Sequence, residues 1–421
     1  MQLTAPRGTY DILPYDIAKW RLVEKIARDT AELFGYHEVR TPIFEHTELF
    51  KRGVGETTDV VMKEMYTFLD RADRSLTLRP EATASCVRCL LEHNCHNGLL
   101  PVKWFYSGPM FRYDRPQAGR HRQFHQFGIE AFGSNSPYLD VEVIILMTRI
   151  VIKLGLTEYE LHINSIGCHH CRADYRQKLV EVIKPVRDRL CSDCRMRYAQ
   201  NPLRVLDCKN QSCHKMLNNI PRIEEFLCQD CIDHYNQVLT GLHQSGINYI
   251  RDDKLVRGLD YYTNTAFEIH LPGIGAQSAV GGGGRYNGLV KACGGPDLPG
   301  IGFALGIERL ILGIDRLANN LPADNKVKVL VVVMNEELEP EAMQVLNRLR
   351  RANISADKDY IGRSGKAQMK YADKLGVKIA VIVGEEEVKN HFLTIRNMDT
   401  KEQLQVPYDA LTETIKGILS E

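Results

Sequence analysis

Hydrophobic positions recur along this chain with two periods, and the switching between them lays out its architecture. Residues 16–34 place Trp20, Val23, Ile26, Ala27, Thr30, Ala31 and Phe34 on one helical face, and Gly35-Tyr36 ends the run. Residues 38–45 read as a strand interrupted by Pro42, which suits a sheet edge. A hairpin is predicted over 65–70 and 75–78. A helix follows, with Glu81 and Thr83 at its start and Cys86, Leu90 and Leu91 further along. Aromatic-rich alternation with period two predicts long strands at 103–112 and 123–132, joined by a loop at 113–122. Residues 136–154 return to the helical period, and 159–165 read as a strand. From about 168 to 247 the pattern is helical between cysteine pairs and looks inserted. Strand pattern resumes at 266–270 and in the glycine run that follows, and residues 300–310 pass from a small-residue strand into an apolar helix. Beyond a linker at 318–325, strands at 326–334, 355–359 and 377–383 alternate with helices at 336–352 and 366–375. Segments 392–397 and 403–406 close as a hairpin, giving an α/β domain with a mixed sheet.

A length of 421 residues with 44% hydrophobic content allows two or three domains with sizeable cores. The expected division is a first domain over 1–325, carrying the insertion, and a second over 326–421. A formal net charge of +1 excludes global basicity as the basis of nucleic-acid binding, so any RNA contact must come from local patches. No apolar run is long enough to span a membrane. The first residues lack the layout of a signal peptide, so a cytoplasmic location is expected.

In that compartment the twelve cysteines should be reduced or metal-bound. Eight fall in the insertion as Cys168/Cys171, Cys191/Cys194, Cys208/Cys213 and Cys228/Cys231. Short pairs separated by longer connections match structural zinc sites of four thiolates. Buried reduced cysteines acting as small hydrophobes are the other reading, and the spacing leaves both open. Arg187, Arg189, Arg195, Arg197, Arg204, Lys209 and Lys215 make the insertion locally basic, as an RNA-facing surface or as a solvated helical face.

Candidate chemistry concentrates on the long hairpin. Arg112 ends its first strand, Arg115, Arg120 and Arg122 lie on the loop, and Gln123, His125, Gln126 and Glu130 lie on the return strand. Arginine forks suit phosphate oxygens; an ordinary hairpin with a solvated basic loop fits the same residues. The four glycines 281–284 would weaken a plain strand unless a ligand approaches the backbone closely. The basic connection 359–366 lacks the glycine spacing of a Walker loop.

The segment FRYDRPQAGRHRQFHQ (111–126) resembles motif 2 of the class II aminoacyl-tRNA synthetases, in its histidyl-tRNA synthetase form. Residues 16–45 resemble motif 1, and GIGFALGIERL (300–310) resembles motif 3. TLRPEAT (77–83), LVRGLDYYT (255–263) and SAVGGGGRYNGL (278–289) resemble segments of the histidyl family. The resemblance covers essentially the whole chain. It implies an α+β catalytic domain, an antiparallel sheet flanked by helices with a helical insertion, and a C-terminal α/β anticodon-binding domain. It implies activation of L-histidine with ATP and Mg2+ to histidyl-adenylate and pyrophosphate, then transfer to tRNA(His), by a homodimer. By the same resemblance Arg257 and Arg112 are catalytic, and Arg112, Arg120 and Arg309 bind ATP. Glu81, Thr83, Arg112, Gln126, Glu130, Arg257, Tyr262 and Tyr286 bind histidine, and Gln117 lies near the tRNA acceptor end. Asp114 stands where the family often has glutamate, and His121 where it often has tyrosine. Zinc is not a general feature of that family. Two rivals carry other functions. A synthetase-like regulatory subunit of histidine biosynthesis would bind histidine without aminoacylation, but such paralogues tend to lose the last domain and parts of the catalytic set. A prolyl or threonyl enzyme would lack the RGLDYYT and tetraglycine segments.

Overall fold

The computed structural model describes residues 3–206, 208, 210–217, 220–274, 278–317 and 327–420. The segment 318–325, expected as a linker, lies outside the described residues. The chain divides into two compact units, residues 1–321 and 322–421.

The first unit contains strands β1 (His37–Glu38), β2 (Phe44–His46), β3 (Tyr66–Leu69), β4 (Ser75–Leu78), β5 (Val102–Phe111), β6 (Gln123–Phe132), β7 (Glu160–Ser165), β8 (Ile250–Arg251), β9 (Thr263–His270), β10 (Ala279–Arg285) and β11 (Gly300–Gly306). Eight of them form one sheet in the order β1-β5-β6-β11-β10-β9-β7-β8. From β5 through β7 every neighbouring pair is antiparallel. The two-residue strands β1 and β8 add a parallel pairing at each edge. Strands so short carry no periodicity, so the hydrophobic pattern could not show them, and the sheet the resemblance implied was antiparallel throughout. Pro42 does more than interrupt a strand. The residues before it join the edge of the large sheet, and those after it join a separate three-stranded sheet, β2-β4-β3. Proline offers no N–H, so one ladder cannot run through it.

Helix Ile17–Leu33 buries Trp20, Val23, Ala27, Thr30 and Ala31, a subset of the face expected. Helix Pro137–Lys153 starts at Ser136, whose hydroxyl accepts from the Tyr138 N–H, and it buries most of its length. Between β7 and β8 the chain runs through helices His169–Ile183, Ser192–Gln200, Gln211–Met216 and Gln229–Gln244.

A buried charge pair ties these layers together. Arg285 and Asp140 have fully buried side chains and pair at 2.5 Å. Asp140 also accepts from Thr265 Oγ1 at 2.6 Å and lies 2.8 Å from His234 Nε2. Arg285 donates to the carbonyls of Ser134 and Ser136 at 2.8 and 2.7 Å. Two strands and two helices thus meet at one carboxylate.

The second unit holds β12 (Val329–Val333), β13 (Ala356–Lys358), β14 (Ile379–Val383), β15 (Phe392–Asn397) and β16 (Gln403–Pro407) in the order β13-β12-β14-β15-β16. The first three are mutually parallel and the rest antiparallel, a mixed sheet. All five residues of β12 are buried, as for a parallel strand covered on both faces. A last helix, Leu411–Ser420, buries Leu411 and Ile415 one turn apart.

Candidate active site

The centre of the large sheet forms one wall of a cavity of about 920 Å³. Glu81, Thr83, Arg112, Arg120, Gln126, Glu130, Arg257, Tyr262, Tyr286 and Arg309 all line it. Gln117 does not; it sits at the turn of the 113–122 loop, where its backbone pairs with that of Arg120. Glycines admit the side chains to this wall. A Cβ on Gly302 would fall 2.1 Å from Glu130 Oε2, and one on Gly282 would fall 2.9 Å from Arg257 Nη1.

Part of the cavity wall is a buried carboxyl nest. Glu130, on β6, accepts from Thr83 Oγ1 at 2.7 Å and from the hydroxyl of Tyr286, with Tyr106 OH at 3.5 Å. Burial pushes its pKa up to about 8, against the pull of the Tyr286 and Thr83 hydrogen bonds. Glu81 stands just before helix Thr83–Glu92 and accepts the N–H groups of Thr83 and Ala84 at 2.8 and 2.9 Å. That is the favourable place for a carboxylate at a helix N-terminus. Burial raises its pKa as well. Tyr261 lies 4.6 Å from Tyr262 and 5.8 Å from Tyr286, ring centre to ring centre, and completes an aromatic wall.

Arg257 also lines the cavity. Its guanidinium pairs with Glu268 on β9 and lies 5.5 Å from the centre of the Tyr262 ring. Burial works against both charges. Glu268 and Tyr262 nevertheless hold the Arg257 pKa up, and Arg257 and His270 hold the Glu268 carboxyl below its ordinary value. Two buried polar atoms here, Arg257 Nε and Gln126 Oε1, have no hydrogen-bond partner among the described residues. Buried polar groups are normally satisfied, so such atoms beside a cavity mark where a ligand would complete the bonding.

Further arginines line the same cavity. Arg112 Nε donates to the Pro80 carbonyl at 2.9 Å, and its guanidinium lies 5.4 Å from the Phe124 ring centre. Arg309 Nε donates to the Gly119 carbonyl at 3.1 Å and Nη1 to that of Ala279. Burial lowers the Arg309 pKa, and Arg120 and Arg112 lower it further by repulsion. Cations that destabilise one another in a half-dry cleft make a site for a polyanion. The loop arginines are tied in place: Arg120 pairs with Asp114, and Arg122 lies 3.9 Å from the Tyr113 ring centre. His121 packs against Tyr10 at 4.7 Å.

Sequence reasoning passed over Glu268, His270, Tyr106, Tyr261, Glu64 and Asp59, which also line the cavity. Glu268 and His270 carried a signal, polar residues two apart on a strand already recognised. Asp59 carried none, because its partners Arg197 and Arg204 come from the insertion, at 2.9 and 3.1 Å.

An antiparallel sheet with glycine-floored access to a cavity that gathers a carboxyl nest and several arginines is the catalytic core of a class II synthetase. The family model for histidyl-tRNA synthetase matches residues 8–310, and that for the anticodon binding domain matches 328–418. The histidine–tRNA ligase of Syntrophomonas wolfei is 61% identical over 419 residues, covering 100% of this chain and 99% of that one. That of Desulforamulus reducens is 53% identical over 417 residues, covering 99% and 100%. The crystal structure of the apo histidyl-tRNA synthetase of S. aureus superposes with a TM-score of 0.83 at 42% identity, over 98% of this chain and 99% of that one. The chain belongs to the histidyl-tRNA synthetase family.

Proposed function

We propose that this protein is a histidine–tRNA ligase, and that the cavity activates L-histidine with ATP before transferring it to tRNA(His). The observation that supports this best is the set of groups brought together in one cavity: buried acceptors, Arg257, and three further arginines, two of which repel the third.

Histidine would enter side chain first. Its imidazole would lie between Glu130 and Tyr262, with Tyr286 and Gln126 completing the pocket. A site built on hydrogen-bonding groups rejects analogues that lack them. The α-amino group would meet Glu81, whose carboxylate is already oriented by two backbone amides, and Thr83 Oγ1. The Thr83 proton is given to Glu130, which leaves the oxygen lone pairs for an ammonium. ATP would enter as its Mg2+ complex, with Arg112, Arg120 and Arg309 around its phosphates. A histidine carboxylate oxygen attacks the α-phosphorus, and the bond to pyrophosphate breaks. Arg257 would stand between the two anions and offset their repulsion as they approach. The 3′-terminal hydroxyl of the tRNA then attacks the carbonyl carbon, and AMP leaves. Gln117, on the hairpin loop outside the cavity, would meet the acceptor end, and residues 326–421 would read the anticodon. The working form would be a cytoplasmic homodimer joined through the 16–45 region.

ATP–pyrophosphate exchange with each of the twenty amino acids, without tRNA, tests the reading. Exchange with histidine alone is expected. Histidine binding without exchange would replace it with the regulatory-subunit function.

A further inference from the structure

The eight paired cysteines of the insertion converge as two sets of four. Cys168 and Cys171, just after β7, meet Cys228 and Cys231 at the start of helix Gln229–Gln244. Cys191 and Cys194 meet Cys208 and Cys213. Within each set the four sulfur atoms lie within 4.8 Å of one another. Cys168 to Cys171 measures 3.6 Å, Cys171 to Cys231 3.9 Å, and Cys191 to Cys208 3.9 Å. Four sulfurs bound at about 2.3 Å to a tetrahedral zinc stand about 3.8 Å apart. A disulfide would bring two of them to about 2 Å, and every one of these cysteines is free.

Packing as small hydrophobes does not account for this sorting. Apolar cysteines need only apolar neighbours, whereas here the sulfurs meet one another and backbone amides point at them. The Cys228 N–H donates to Cys171 Sγ at 3.1 Å, the Cys191 N–H to Cys213 Sγ at 3.3 Å, and the Asn210 N–H to Cys208 Sγ at 3.4 Å. Such bonds favour thiolate and orient it as a metal ligand. In the nine-residue helix Ser192–Gln200, Cys194 is the one buried residue, so what that helix buries is a sulfur of the tetrad.

We propose that the insertion binds two structural zinc ions, one in each cysteine tetrad. Each ion takes four thiols as thiolates and releases their protons. Four protein ligands leave no open position, so the metal is structural rather than catalytic. The outer ion joins the base of the insertion to the start of helix Gln229–Gln244. The inner ion holds the segment that carries Arg197 and Arg204 to Asp59, and Cys191 and Cys208 form part of the cavity wall.

Elemental analysis of the full-length chain, purified without chelator, tests this directly, with iron measured beside zinc. Two zinc atoms per chain are expected in the wild type. One is expected in Cys194→Ser/Cys213→Ser and one in Cys171→Ser/Cys231→Ser. Cobalt exchanged into the wild type should show the visible spectrum of tetrahedral thiolate coordination, a readout that needs no variant to fold. Absence of metal, iron in place of zinc, or a zinc content that neither double variant lowers overturns the proposal. One zinc per chain, removed by a single double variant, overturns it for the other tetrad.

Discussion

Replacing Glu130 with glutamine separates what this carboxyl does for the site from what it costs the fold. Burial moves its pKa from 4.5 to about 8, so the folded chain holds this proton more tightly than the unfolded chain. No penalty exists below pH 4.5, where both states are protonated. As pH rises, the unfolded chain gains stability by ionising while the folded chain does not. Native stability therefore falls by about 1.4 kcal/mol per pH unit until the folded carboxyl ionises, near pH 8. The accumulated cost is about 1 kcal/mol at pH 5 and about 3 kcal/mol at pH 7. Glutamine has the shape and hydrogen-bonding character of the protonated acid and does not titrate. Glu130→Gln should match the wild type within about 1 kcal/mol at pH 5 and exceed it by about 3 kcal/mol at pH 7. For histidine the order reverses, because a bound imidazole N–H can draw the carboxyl into its ionised form, which an amide cannot adopt. A hydrogen bond to a charged group contributes about 1.5–3 kcal/mol, and ionising a group of pKa about 8 at pH 7 costs about 1.4 kcal/mol, so the KM for histidine should rise by up to about 15-fold. Calorimetric unfolding from pH 5 to 8 and histidine-dependent pyrophosphate exchange at pH 7 read the two effects. A change in Tm that is the same at pH 5 and pH 8 would refute the burial argument. An unchanged KM would refute the role in histidine binding.

Three other substitutions probe separate parts of the structure. Arg257→Gln should lower pyrophosphate exchange by about 10²- to 10³-fold, as for loss of a group that stabilises transition-state charge; near wild-type exchange in folded protein would remove Arg257 from the chemistry. Gly282→Ala puts a methyl 2.9 Å from Arg257 Nη1 and 2.5 Å from the Phe267 carbonyl. It should cost about 1–3 kcal/mol in stability and lower kcat for exchange, measured by calorimetry and initial rates. Asp140→Asn leaves Arg285 buried without its counter-charge and should destabilise the fold by about 3–5 kcal/mol, read as a fall in Tm.

The parts of the fold legible from sequence were those whose physics is local. β6 falls at 123–132 as expected, with two clear ends, although its burial does not alternate: the first four residues are half-buried and the last six are all buried, as for a central strand covered on both faces. Strand β9 begins three residues earlier than predicted, at Thr263, the last residue of the segment 255–263 that had been read as a motif. The edge strands β1 and β8 and the Asp140–Arg285 pair were not legible. Two-residue strands have no period, and a pair separated by 145 positions leaves no spacing to read. The site divides in the same way. Residues inside contiguous motifs, such as Arg112 and Arg257, could be found from the segments that carry them. Asp59 owes its place to side chains from the insertion, and only the folded chain shows that.

The arginines of the cavity carry their charge in two ways, and the difference bears on what each can do. Arg257 is neutralised by Glu268, which His270 also contacts at 3.1 Å. Such a pair fixes the guanidinium in place and adds little net potential beyond its own contact distance. Arg309 is repelled by Arg120 and Arg112, and Arg120 pairs with Asp114. Acids act on this cluster too: Arg112 and Arg120 pull the Glu64 carboxyl down against its burial, and Glu268 and Glu308 hold the Arg309 pKa up. A polyanion entering the cavity would relieve the repulsion among these guanidinium groups. The sheet supports Arg257. Arg257 rests against Gly282, the central position of the β10 ladder, and a rigid antiparallel sheet holds that position more precisely than a loop could.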